Sequence, residues 1–489
     1  MNSKLMIGWS EADITPATDK AVALYGQYYT RLATGIHSRL KSVAAAFRSG
    51  DEYFLTASMD NAGMAEAFQQ LVREAVVKLE PSIKAEKIFL NAIHTHSGPS
   101  AVPDGKLKGR SVSAARPICD SKIYSPQEYV DFVVPIVAQN LVNAWRNLRP
   151  GGIARALGFA RVGHCRRAVY STGKAEMYGD TTRCDFIGME AGEDSGVDML
   201  FTFDETGKKT GMLLNVACPS QVMEATYKIS SDFAGATREL LKKEFGEDFH
   251  TIYQISPAGC QSPRDLVRHY ATEPDFWHED GVVEISNRLL NAVRNAVPGP
   301  IDYAPVMKHT ALRVSLPRRR ASYQDYKHAQ AELARLTAIM PEEEAYEAFC
   351  AETHANEKKG GPGPYDSKLH PFVLIKNEQA VIARYEDQDK VPEVSFDMNV
   401  IRLGDIAIAN NPFELYLYYG QNIKARSKAR QTFLVQLSAG ASCHAGYLPS
   451  PDAEKFGGYG GLIINGQVGS DGGYMLADIT VKEINKLFE

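Results

Sequence analysis

YFLTASMDNAGMAEAFQQLVREAVVKLEPSIKAEKIFLNAIHTH (residues 53–96) joins two apolar runs through an amphipathic stretch. Residues 53–61 and 87–96 have the apolar and aromatic character of strands, and 63–80 repeats its apolar positions at helical spacing. Strand, helix, strand in this order is a right-handed crossover between parallel neighbours. The layout returns twice. GMLLNVAC (211–218), DFAGATRELLKKEF (232–245) and TIYQIS (251–256) repeat it, with VDMLFTF (197–203) as a hairpin partner through the turn DETGKK. DIAIAN (405–410), FELYLYYGQNIKARS (413–427) and TFLVQLS (432–438) repeat it again. The expected fold class is α/β, with mixed sheets built from βαβ units and flanked by helices.

In open α/β sheets, ligands bind beyond the carboxyl ends of the strands. Those ends carry Asp60, His94, His96, Cys218, Cys260, Ser262, Glu414, Cys443 and His444. Groups able to bind metal, move protons or attack carbonyls therefore gather at one expected edge. Elsewhere, 125–151 reads as a long helix capped by Ser125 and stopped at Pro150-Gly151, and Ser230, Ser231 or Asp232 would cap the helix over 232–245. Residues 320–358 read as a charged helical hairpin inserted between strands, followed by the loop GGPGPYD (360–366). No stretch has the composition of an interdomain linker, so residues 1–489 are expected to form one domain with that insertion.

A hydrophobic content of 44% and a charged content of 23% are ordinary for a globular protein. The net charge of −5 and the absence of basic runs give no support to nucleic-acid binding. No apolar stretch is long enough to span a membrane. The N-terminal MNSKLMIGWSEADITP lacks the apolar centre of a signal peptide, so the chain as written is expected to be cytoplasmic, and secreted or periplasmic if a leader has been removed. Seven scattered cysteines without a CxxC pair are not a disulfide framework.

On a strand, His94 and His96 would face the same side, and the Ser97-Gly98-Pro99 turn stops the strand just beyond them. The plainer alternative is two histidines satisfied by hydrogen bonds at a strand end; the sharper one is a metal or proton-transfer pair. Glu414 would start a helix, where an acid also suits the dipole. Cys218 is either a thiolate ligand or a small buried hydrophobe. Ser262 lies in a glycine-containing turn that offers backbone N–H groups, without a GxSxG setting. The glycine-dense FGGYGGLIINGQVGSDGGY (456–474) is either a flexible surface loop or a segment that brings Tyr447 and Tyr459 near a ligand, as a wall or a lid.

The sequence resembles the catalytic domain of the neutral (alkaline, non-lysosomal) ceramidases. The resemblance is carried by GWSEADITP, GIHSRLKSVAAAF, HTHSGP, GMLLNVACPSQ…ISSDFAG, AGCQSPRD, RLGDIAIANNPFE and AGYLPSPDAEKFGGYGG, in the family's order from about residue 7 to 465. It implies one zinc ion per chain and a metal-bound water that attacks an amide carbonyl of an N-acyl substrate. By position it implies His94 and Glu414 as metal ligands, His96 as a catalytic histidine beside them, and Ser262, Arg166 (or Arg167, the register being open) and Tyr459 as active-site groups. Two ligand positions depart from the family: Cys218 and His444 stand where it has a histidine and a tyrosine, and both are competent zinc ligands. The aspartate common in the family's turn is replaced by Cys260. The further C-terminal β domain of the secreted members is not expected, and the substrate is expected to be a small molecule or N-acyl compound, not necessarily ceramide. Two rival readings remain: a related metal enzyme acting on a glycan or polar small molecule, and a non-catalytic ligand-binding protein on a decayed scaffold.

Overall fold

The computed structural model describes residues 3–25, 31–103, 123–268, 277–358, 369–442 and 445–489. In chain order, the strands of the two main sheets are β1 (Leu5–Asp13), β2 (Lys41–Ser49), β3 (Glu52–Met59), β4 (Ile88–Ala92), β5 (Arg149–Phe159), β6 (Gly196–Asp204), β7 (Lys209–Val216), β8 (His250–Ile255), β9 (Met307–Pro317), β10 (Glu393–Leu403), β11 (Ile406–Asn410) and β12 (Gln431–Val435). The helices are α1 (Glu66–Leu79), α2 (Pro126–Arg146), α3 (Asp232–Phe245), α4 (His278–Asn295), α5 (Tyr323–Ile339), α6 (Glu342–Lys358), α7 (Pro371–Asp387), α8 (Leu417–Arg426), α9 (Pro451–Phe456) and α10 (Ser470–Leu487). Among the described residues no helix is long and apolar enough to cross a membrane.

All three crossovers form with parallel strands: β3-α1-β4, β7-α3-β8 and β11-α8-β12. One eight-stranded sheet has the order β8-β7-β6-β5-β1-β2-β3-β4, and a four-stranded sheet has the order β9-β10-β11-β12. In the large sheet β1 and β5 pair only at Met6↔Pro150 and Ile7↔Arg149. Around that narrow junction the sheet curls until its two ends meet. Ser58 Oγ and Asn91 Nδ2 both donate to the Tyr253 carbonyl, at 2.9 and 3.0 Å.

Strand periodicity explains the layers. In β2, Val43, Ala45 and Phe47 face the second sheet, where they join Phe54, Phe89, Ile252, Ile408 and Phe433. Ala44 and Ala46 face the other way, under α1 and α2, beside Phe68, Val72, Val133 and Leu141. A strand covered on both faces reads as a continuous apolar run, as KSVAAAF does. Each fully buried Phe or Leu contributes ~1.5–3 kcal/mol. Helices α3 and α4 cover β6 and β7 through Phe233, Leu241, Ile285 and Leu289. Gly8 marks the closest approach: a Cβ there would lie 2.0 Å from the Ala144 carbonyl of α2.

Some local expectations change. Helix α2 has its full capping box, Ser125 with Glu128, but ends at Arg146, and Pro150-Gly151 open β5 instead. Ser231 is the N-cap of α3 without a side-chain cap bond, because its hydroxyl is engaged by Ser38 at 2.9 Å. The hairpin read over 320–358 is α5 and α6; α7 joins them, and Phe349, Phe372 and Ile375 form their own small core. The loop read at 360–366 lies outside the described residues.

Glu11 ties β1 to α3 and, across the curled sheet, to β8, accepting from Lys242 at 2.7 Å and bonding His250 at 2.9 Å. Burial alone would raise its pKa, but the His250 and Lys242 hydrogen bonds overcome this and hold it near about 2. A carboxyl with a lowered folded pKa contributes stability above its ordinary value of about 4.5 and loses it as the pH falls toward 2. Glu11→Gln is therefore expected to cost about 2 kcal/mol at pH 7. It should also flatten the acid dependence of stability below pH ~4.5. Urea unfolding at several pH values tests this, and an unchanged acid slope in the variant contradicts it.

Candidate active site

Strand β4 stops at Ala92, and its chain follows the turn after β3 rather than the ladder. The His94 N–H donates to the Asn61 carbonyl at 3.0 Å, and His94 takes the left-handed conformation with φ 65°. His94 and His96 therefore do not share a strand face as expected; a turn brings their rings together, 4.7 Å apart between centroids and steeply inclined.

Their hydrogen bonds set the tautomers. His94 Nδ1 faces the Ala62 carbonyl, so it carries the proton. His96 Nδ1 lies 2.8 Å from the Glu224 carboxylate and carries a proton likewise. Burial, against the opposing pull of the Glu414 carboxylate, depresses His94 to about 4 and His96 to about 3, so both rings are neutral at pH 7. Their Nε2 atoms are then both acceptors, facing each other at 3.2 Å. Two lone pairs in this position call for a hydrogen-bond donor or a cation beside them.

Glu414 does not start a helix. Glu414–Leu415 is a short strand parallel to Tyr447–Leu448, and α8 begins only at Leu417. The pairing takes the Glu414 N–H to the Gly446 carbonyl at 3.0 Å and places Oε2 3.6 Å from His94 Nε2. Gln436 Oε1 locks this arrangement by accepting from both Leu415 N and Ala258 N.

Arg166 follows His164–Cys165, which pairs with Gln261–Ser262. Its Nη2 donates to the Gly259 carbonyl at 3.1 Å and to the Tyr447 hydroxyl at 2.9 Å. The Tyr447 phenol is in turn hydrogen-bonded to Glu414. The Tyr459 ring meets Tyr447 edge-on at 5.5 Å, and the two phenols are hydrogen-bonded. Burial first, then the Glu414 charge, pushes Tyr459 up to about 12, so it stays a proton donor at neutral pH. Tyr178, held at φ 54°, bonds Arg166 and Ser262. Ser262 Oγ accepts from Arg264 N at 3.0 Å, a local turn bond. Glu414 also lines a cleft of about 730 Å³ whose walls include Asn61, Met64, Pro99, Val102 and Leu437, room for a small molecule.

The structure thus brings His94, His96, Glu414, Arg166 and Tyr459 into one cluster, with Ser262 linked to it through Tyr178. It adds Glu224, Tyr178 and the contacts of Tyr447 with Arg166 and Glu414. Glu224 had one signal in sequence: it is an acid in the loop between a crossover strand and its helix. Cys218 is not brought into the cluster. Its thiol donates to the Val162 carbonyl at 3.1 Å, it packs with Val216, Phe233 and Tyr253, and burial pushes its pKa well above the ordinary thiol value. His444 and Cys443 lie outside the described residues.

Among the described residues no three His, Cys, Asp or Glu side chains are grouped so as to hold a metal ion. A catalytic zinc takes three protein ligands and an open position. Of the ligands the resemblance implies, His94 and Glu414 converge, Cys218 is turned into the core, and His444 lies outside the described residues.

The architecture is the α/β fold of the ceramidase catalytic region. The chain is similar to the crystal structure of neutral ceramidase from Pseudomonas aeruginosa, with a TM-score of 0.65 and 16% identity over 99% of this chain and 75% of that one. It is also similar to a ceramidase complexed with C2, with a TM-score of 0.64 and 15% identity over 98% and 74%. No family model and no curated protein matches the sequence, so the likeness is one of fold.

The placement of Cys218 is open to test by alkylation with peptide mapping. Iodoacetamide is expected to modify the exposed Cys184 in the native protein and to leave Cys218 untouched until denaturant is added. Rapid native modification of Cys218 would contradict the buried, protonated thiol.

Proposed function

We propose that this protein is a hydrolase that cleaves the amide bond of an N-acyl small molecule, with water activated by His96. The observation that supports it most is the pair of neutral, buried imidazoles whose Nε2 atoms face each other at 3.2 Å, with Glu224 behind His96 and Glu414 beside His94. A water placed there donates one proton to His96 Nε2 while its oxygen attacks the carbonyl carbon; Glu224 stabilises the imidazolium that forms. His96 then returns the proton to the leaving nitrogen. Arg166 supplies positive potential for the carbonyl oxygen, and Glu414 and the linked phenols orient the water and the substrate. The amide class comes from the ceramidase-like fold, and the cleft beside Glu414 is the proposed substrate entry.

Zinc would need His94 and Glu414 together with a ligand from outside the described residues. Every step above uses this chain's own side chains.

Two measurements test the reading on fluorogenic N-acyl aminocoumarins of increasing chain length, run beside an N-acetylated amino sugar. Glu224→Gln keeps a hydrogen-bonding group behind His96 but removes the charge that stabilises the imidazolium, and is expected to lower kcat about a hundredfold or more with KM little changed. Full-rate turnover by this variant would remove Glu224 and His96 from the mechanism. Hydrolysis is also expected to survive exhaustive chelation. Activity abolished by chelator and restored by zinc, with about one zinc per chain lost in His94→Ala, would replace the His96–Glu224 pair with a metal centre.

A further inference from the structure

Arg167 follows Arg166 in sequence but points to the other side of the same strand end. Its side chain is 1% exposed, and its Nε donates to Glu190, also 1% exposed, at 2.6 Å. The other two nitrogens leave the ion pair and reach the glycine-rich segment after α9: Nη2 donates to the Gly457 carbonyl at 2.5 Å, and Nη1 donates to the Tyr459 carbonyl. A single guanidinium therefore holds the backbone on both sides of Gly458. The glycines make the approach feasible. A Cβ on Gly458 (φ 75°) would lie 2.2 Å from the Ala175 carbonyl, and one on Gly460 (φ 88°) 2.5 Å from the Tyr416 hydroxyl. Arg319 holds the far side by donating to the Gly461 carbonyl at 2.8 Å. The segment is an anchored wall of the site, and its glycines serve close packing.

We propose that Arg167 is a positioning residue: ion-paired to Glu190, it clamps the backbone at residues 457 and 459 and thereby aims the Tyr459 ring at Tyr447 and the Glu414 end of the site. Arg167 bonds Glu190, Gly457 and Tyr459 and makes no hydrogen bond to His94, His96 or Glu414; it acts through Tyr459, whose ring lies 5.5 Å from that of Tyr447. A planar fork satisfies one carboxylate and two carbonyls at once, which a lysine ammonium of equal charge cannot do in the same geometry.

The test uses the full chain, with Arg167→Lys as the first variant. The double variant Arg167→Met, Glu190→Leu guards against the cost of a buried unpaired carboxylate. Hydrogen exchange is expected to speed up about tenfold or more at amides 457–461, while protection in β7, β8 and α3 stays unchanged. A merely structural role would lower protection everywhere together. The kinetic arm rests on the proposed hydrolysis. On the N-acyl aminocoumarin, kcat is expected to fall about tenfold or more with KM held within about twofold. Adding Tyr459→Phe to Arg167→Lys should cause no further loss, because both changes act through one ring. Unchanged exchange at 457–461, or kinetic losses that multiply in the combined variant, would overturn the assignment. If the unmodified protein does not turn over the probe, the hydrolase reading fails, and the exchange result alone decides the role of Arg167.

Discussion

One carbonyl oxygen, that of Tyr253, accepts hydrogen bonds from Ser58 on β3 and Asn91 on β4. These two bonds join the ends of an eight-stranded sheet whose halves share only a two-residue junction. Each is worth about 1 kcal/mol net, and more is lost if a buried partner is stranded. The drive for closure comes from the apolar layer between the sheets, where Phe47, Phe54, Phe89, Ile252, Ile408 and Phe433 interlock. The hydrogen bonds set where the ends meet. That meeting point puts the turn carrying His94 and His96 against the loop carrying Glu224, and Ala92 against Leu437 of the second sheet.

The site inherits its electrostatics from this closure. Two imidazoles buried a few ångströms apart stay neutral, because charging either one meets desolvation first. Glu414, Tyr447 and Arg166 form a chain from anion through phenol to cation, with Tyr459 hydrogen-bonded to its middle. In such surroundings fixed dipoles act more strongly than in water, so small errors in placement matter. The buried ion pair of Arg167 with Glu190 lies directly behind this chain and contacts the backbone that carries Tyr459.

Several elements were legible in the sequence for identifiable reasons. The three crossovers alternate apolar runs of strand length with amphipathic helices, and each run ends in turn residues. Ser125 announces the start of α2, to which the structure adds the Glu128 half of a capping box. The polar groups at the strand ends follow from topology alone, and five of the eight residues singled out as catalytic or metal-binding converge in the structure. Other features were not legible. Cys218 reads equally as ligand or hydrophobe, since its sulfur's direction depends on where Val162 packs. Arg166 and Arg167 are adjacent, and only the pairing of His164–Cys165 with Gln261–Ser262 decides which one enters the site. The start of α8 was misplaced because a distant strand, Tyr447–Leu448, captures Glu414–Leu415.

By itself, the sequence determined the alternation of strands and helices, the parallel crossovers and the edge at which chemistry collects, because these depend on local periodicity and chain chirality. Only the tertiary structure decided which of those groups touch. Glu224 reaches His96 across 128 residues of chain, Arg166 reaches Tyr447 across 281, and Arg167 reaches Tyr459 across 292. Contacts of that span come from how the curled sheet closes and how the second sheet docks on it, and no local pattern in the sequence encodes them.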